Sequence, residues 1–155
     1  MLPQVQENTT GLFGVDITKR CEEIQRGNWY CRLTETIIGD FLIIPLTSRR
    51  KIQSEAYTMN NCCRHYTAAC AALEYVLFSL RSRAGERQAT LGLRREDGYW
   101  HFDQCVGPSN TEVTEESLCY CDENDMILTE SYPTEIYYVA QEVVRLMNAP
   151  SSKVH

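Results

Sequence analysis

Residues 60–80 read NNCCRHYTAACAALEYVLFSL, and the change of character within this stretch decides the fold. Asn60 and Asn61 carry side chains that cap helix N-termini well. Behind them Cys62, Tyr66, Ala69 and Leu73 recur at the spacing of one helix face. The alanine-rich run from Ala68 to Ala72 favours helix and lets it pack closely on a sheet. From Tyr75 to Leu80 the residues become aromatic and aliphatic, which suits a strand. The stretch therefore predicts a helix that begins at Cys62 and leads into a sheet.

Downstream, Arg83-Ala84-Gly85 turns the chain, and Ala89, Leu91 and Leu93 alternate with their neighbours as in a strand. Asp97-Gly98 is a strong hairpin signal, and Trp100, Phe102 and Gln104 alternate on the return. That alternation predicts Cys62, Tyr66, Trp100, Phe102 and Gln104 turned toward one another. Gly107-Pro108-Ser109-Asn110 ends the meander. Upstream, Trp29–Ile38 reads as a strand, Gly39-Asp40 as a turn, and Phe41–Ile44 as a second strand stopped by Pro45. Thr47 to Thr58 reads as a polar connection with room for one helical turn.

Residues 111–131 are acidic and are expected to be irregular. Pro133 suits the first position of a C-terminal helix, whose buried stripe is Ile136, Val139, Ala140, Val143 and Met147. Residues 1–18 are expected to form a loose arm, Ile17–Gln25 a short helix, and 149–155 a frayed tail. The expected fold is α+β, with one domain over 19–148. Its antiparallel sheet, a hairpin plus a three-stranded meander, packs on a central helix starting near Cys62 and on a C-terminal helix.

A chain of 155 residues with 43% hydrophobic and 23% charged residues can bury a core without staples. Its net charge of -6 argues against general nucleic-acid binding, which needs a basic footprint. No apolar run reaches membrane-spanning length, and the N-terminus lacks a signal-peptide pattern, so a cytoplasmic protein without membrane attachment is expected. The eight cysteines are then expected to be free and mostly buried thiols. A zinc site built on Cys119 and Cys121, joined by Cys62 or Cys105, is the alternative, although paired Cys-x2-Cys knuckles are missing.

Three groups of residues could carry chemistry. Cys62, at the start of a helix, fits a thiol nucleophile, with His101 or His65 as base and Gln104 as oxyanion donor. Arg81 and Arg87 flank the first tight turn and could grip a phosphate or carboxylate. The acidic segment, including Glu115 and Glu116, suits a basic protein surface. Tyr66, Trp100 and Asn110 complete the candidate binding positions; Asn110 also reads simply as a turn residue and Gln104 as a structural amide. P-loop, dinucleotide, zincin and nucleophile-elbow motifs are not found in the sequence.

The pattern resembles the PcfJ-like domain family over about residues 40–110. The resemblance rests on Ile44-Pro45-Leu46-x-Ser48, Glu55, Met59, Asn61-Cys62-x3-Tyr66-x3-Cys70 and Phe78-Ser79-Leu80-Arg81. It continues through Arg87-x-Ala89-Thr90-Leu91, Trp100, Gln104, Gly107 and Asn110. It implies a protein of bacterial plasmids, conjugative elements or phages. Two positions depart from the family pattern: Asn61 replaces a His, and Cys63 replaces a Val. Loss of that His from a His–Cys pair counts against catalysis. The leading expectation is a non-enzymatic module that binds a protein partner, such as a host defence or DNA-transfer component. A papain-like thiol enzyme and a small zinc-stabilised domain are the alternatives, and the sequence specifies no small-molecule ligand.

Overall fold

Asp97 and Gly98 both adopt positive φ, 55° and 83°, the backbone that a two-residue hairpin needs to match the twist of its strands. This turn joins the longest strand to the next in a computed structural model that describes residues 27–150. The element order is β1 (Thr36–Ile38), β2 (Phe41–Pro45), α1 (Arg49–Met59), a 3-10 turn (Cys63–Tyr66), α2 (Thr67–Ala71), β3 (Tyr75–Ser82), β4 (Arg87–Glu96) and β5 (Tyr99–Val106). A 3-10 turn (Pro108–Asn110), β6 (Glu115–Cys121), β7 (Ile127–Pro133) and α3 (Glu135–Asn148) follow. Strands β1 to β5 form one antiparallel sheet in sequence order, and β6 and β7 form a separate ribbon. The fold is α+β, as the sequence predicts. The expected arm 1–18, the helix over Ile17–Gln25 and Cys21 lie outside the described residues, as does the tail beyond Pro150.

The sheet is the middle layer. On one face Val76, Phe78 and Leu80 from β3 and Ala89, Leu91 and Leu93 from β4 pack with Val139, Ala140, Val143 and Met147 of α3. That stripe is the predicted one. On the other face Tyr75 and Leu77 pack with Ile52 and Ala56 of α1 and with Cys63 and Cys70. Several of these side chains, Phe78, Leu77, Leu91 and Val143 among them, have no exposed surface, and each such burial is worth about 1.5–3 kcal/mol.

Several local expectations are corrected. Thr47–Thr58 is not a polar connection: α1 is a full helix of 11 residues. Ser48 caps it by accepting a hydrogen bond from Lys51 N–H at 3.1 Å, and Ile52, Glu55, Ala56 and Met59 make its buried stripe. Asn60 is this helix's C-cap in the left-handed region (φ 51°), not the N-cap of the next helix. No long helix begins at Cys62. The segment is a 3-10 turn followed by five α-helical residues, closed at Leu73, itself left-handed at φ 62°. Its buried face is Cys63, Thr67 and Cys70, one residue out of step with the predicted face, so Cys62 is exposed.

The strand predicted over Trp29–Ile38 shrinks to Thr36–Ile38. Residues 111–131 are not irregular but hold most of the β6–β7 ribbon, and Pro133 ends β7 while Thr134 occupies the N-cap position of α3 without a side-chain capping bond. Of the seven described thiols, all free, only Cys63, Cys70 and Cys105 are buried; Cys31 is half-buried and Cys62, Cys119 and Cys121 are exposed. At the sheet edge Asn148 imitates a strand. Its Oδ1 accepts from Trp100 N–H and its Nδ2 donates to Trp100 C=O, both at 2.8 Å, which closes the open rim of β5.

Candidate functional site

Glu55 sits on the inner face of α1 with no exposed surface. A carboxylate there must be paired and hydrogen-bonded. Its Oε1 accepts from Arg87 Nε at 2.8 Å and its Oε2 from Thr90 Oγ1 at 2.6 Å. The Thr90 hydroxyl in turn accepts from Asn61 Nδ2 at 3.0 Å, and Asn61 Oδ1 accepts from Cys63 N–H at 3.1 Å. A continuous polar chain thus runs from β4 through α1 to the Cys63 turn, beneath the apolar residues of both. Ser79, fully buried on β3 as the register partner of Thr90, accepts separately from Arg81 Nε at 2.9 Å.

The turns at one end of this network are locked together. Asn60 Nδ2 donates to Ser109 Oγ at 3.1 Å, and the Cys62 thiol approaches Asn110 Oδ1 at 3.7 Å. Asn60, Ser109 and Asn110 all hold left-handed backbone, so three non-glycine residues bear that cost at one junction.

The predicted catalytic set is not assembled. Cys62 meets Asn110 beyond the end of β5, whereas His101 lies opposite Arg94, five positions before Val106 and roughly 16 Å back along the strand. His65 is exposed on the same 3-10 turn as Cys63. Gln104 does not share a face with Trp100 and Phe102. Leu93 pairs with Phe102 and Gly92 with Gln104, so Asp103 is an extra residue that inverts the strand's facing. Trp100 and Phe102 therefore pack toward α3, while Gln104 turns to the α1 side beside Tyr75. There Tyr66 stacks on Tyr75 with ring centroids 4.3 Å apart, and the Tyr75 hydroxyl donates to Asp103 at 2.6 Å. Burial and then the Asp103 contact push the Tyr75 hydroxyl's pKa up.

Burial likewise pushes the Cys63, Cys70 and Cys105 thiols up to about 12, marking them as packed hydrophobes. The exposed pair Cys119 and Cys121 lies on the ribbon, whereas Cys105 is buried in the five-stranded sheet. Among the described residues no group of three or more His, Cys, Asp or Glu side chains is arranged to hold a metal ion. No described helix is long and apolar enough to cross a membrane.

The β6–β7 ribbon is the second notable surface. Its register puts Glu116, Leu118, Tyr120, Leu128, Glu130 and Tyr132 on one face. The apolar members of that face are 39–54% exposed. Tyr120 and Tyr132 both donate to Glu130, which lowers that carboxyl's pKa. Between residues 111 and 133 the charges are Glu112, Glu115, Glu116, Asp122, Glu123, Asp125 and Glu130, with no Lys, Arg or His. A third feature is a cleft of about 280 Å³ lined by residues that include Trp29, Arg95, Tyr99 and Trp100. Arg95 lies over the Trp100 ring at 5.6 Å there.

Arg81, Arg87 and Asn110 were candidates from the sequence, whereas Glu55 and Ser79 entered it only as positions of the family resemblance, and Asn61 there and as a helix cap, with none of these polar contacts assigned to them. The signal for Glu55 was its place at i+3 from Ile52 and i−4 from Met59, on the apolar stripe of a polar-looking segment. Comparison with family models, curated proteins and solved structures finds no significant match to this chain.

Proposed function

We propose that this protein is a non-enzymatic interaction module whose β6–β7 ribbon docks a protein partner with a basic surface. The observation that carries this reading is the ribbon itself. A two-stranded sheet is marginal in water unless a third surface covers its apolar face, yet Leu118, Tyr120, Leu128 and Tyr132 stand exposed on one side. The all-acidic charge around that face suits a cationic partner and would hasten encounter with one. The thiol-enzyme alternative rests on Cys62, whose hydrogen-bond partner is an amide rather than an imidazole. That favours binding over catalysis. The PcfJ-like resemblance adds to the proposal a cytoplasmic protein of a mobile genetic element, with a host defence or DNA-transfer component as partner.

The test is affinity capture from a bacterial host lysate with the native chain and two variants. One reverses Glu115, Glu116, Asp122 and Glu123 to Lys; the other changes Leu118 and Tyr132 to Ser. A basic protein held at defined stoichiometry by the native chain and lost in both variants is the expected result. Undiminished capture by both variants would refute the ribbon as the docking surface.

A further inference from the structure

Arg81 on β3 and Arg87 on β4 are register partners, directly opposite across the strands. Like charges so placed destabilise a sheet. A single carboxylate offsets them at close range: Glu55, whose oxygens are engaged by Arg87 Nε and Thr90 Oγ1. Among the described residues Arg81 has no carboxylate within ion-pair distance; its Nε bonds to the Ser79 hydroxyl. Burial first, and then Arg87, weaken the hold of Arg81 on its proton, while Glu55 and Glu35 act in the opposite direction.

The geometry leaves donors to spare. Both guanidiniums turn their Nε edge toward the protein. Arg87 spends one terminal nitrogen on Ser54 Oγ at 3.2 Å, and the terminal nitrogens of Arg81 are not engaged by described residues. Arg87 is 21% exposed and Arg81 half-buried, so the pair reaches solvent. Within this trio two cations over one buried anion leave one positive charge, with Glu35 beyond ion-pair distance, on side chains that reach solvent with planar forks suited to an oxyanion.

We propose that the Arg81–Arg87 pair is a binding site for a singly charged oxyanion, a carboxylate, bridged between the two guanidinium forks above Glu55. A single negative charge neutralises the local excess, whereas a phosphate dianion would overshoot it beside a buried carboxylate. The carboxylate could belong to a free organic acid or to the end of a peptide chain; the recognising chemistry is the same.

The test reads the Nε–H signals of Arg81 and Arg87 by nuclear magnetic resonance. The full chain is titrated with acetate, with an acetylated dipeptide bearing a free C-terminal carboxylate, with phosphate at pH 8, and with chloride at matched ionic strength. Saturable shifts at both arginines with a carboxylate and not with chloride are expected; the stronger of acetate and the dipeptide identifies the source. Arg81→Gln should weaken carboxylate binding about tenfold or more, read at Arg87, while the remote Arg95→Gln leaves it unchanged. Arg81→Lys, which keeps the charge and loses the fork, should bind weakly and shows whether any loss in Arg81→Gln is one of fold. Equal responses to acetate and chloride, tighter binding of phosphate at pH 8, or full binding by folded Arg81→Gln would each overturn the proposal.

Discussion

Replacing Glu55 tests whether the polar chain beneath α1 holds the two layers together. Removing one partner of a buried ion pair costs about 3–5 kcal/mol, because the other charge is left without compensation. Here Arg87 is 21% exposed and recovers part of its hydration, which favours the lower end. Thr90 also loses its acceptor, worth about 1 kcal/mol, and Arg81 and Arg87 are left facing each other. Glu55→Ala should therefore cost about 4 kcal/mol. Glu55→Gln preserves volume and an acceptor for Thr90 and should cost about 2 kcal/mol. Urea denaturation at neutral pH measures both, and an unchanged m-value certifies comparable states. For a chain of this size the Ala variant should melt about 12 °C lower. The double change Glu55→Leu with Arg87→Met, which removes both charges and keeps the packing, should recover most of the loss. A Glu55→Ala cost below about 1 kcal/mol would refute the assigned role, since a paired buried carboxylate cannot be removed so cheaply.

Three further outcomes follow from packing, titration and exposure. At Gly92 an added Cβ would sit 2.2 Å from the Tyr75 hydroxyl and 2.8 Å from its ring, so Gly92→Ala must displace that ring and disturb the bond to Asp103. A loss of about 2 kcal/mol by chemical denaturation is expected, with Gly98→Ala, where the space is open, failing through its positive φ instead. Cys63, Cys70 and Cys105 ionise in the folded chain only near pH 12, against the ordinary value of 9.0. A raised folded pKa gives stability that is intact below pH 9 and lost as pH climbs toward 12. Each thiol should thus cost about 1 kcal/mol of stability at pH 10, and Cys70→Ala should flatten the alkaline limb. A thiol reagent at pH 8 should label Cys62, Cys119 and Cys121 and spare the three buried thiols; rapid labelling of Cys105 would contradict its assigned burial.

The turns and the amphipathic C-terminal helix were legible in the sequence because their causes are local. Asp97-Gly98 and Gly39-Asp40 place their hairpins wherever the flanking residues alternate, and Val139, Ala140, Val143 and Met147 fall on one stripe in any environment. Arg81 and Arg87 could be singled out for their position around a tight turn. Their pairing across it needed the register shift between Leu80 and Arg81.

What tertiary structure alone decided has long-range causes. Residues 49–59 look polar until Arg87, 32 positions away, neutralises Glu55 and lets a charged side chain occupy a buried helix face. The facing of Gln104 depends on one extra residue in β5, Asp103, which Tyr75 holds from another strand. The segment of residues 60–80 shows both kinds of cause. Its passage into a strand at Tyr75 is written in its side chains. Its first half is a short turn rather than a helix from Cys62, because Asn61 is bonded to Thr90 and the backbone at Asn60 and Leu73 is bent into the left-handed region. A sequence pattern fixes which residues favour burial, but a buried charge or a one-residue bulge is settled by partners distant in the chain.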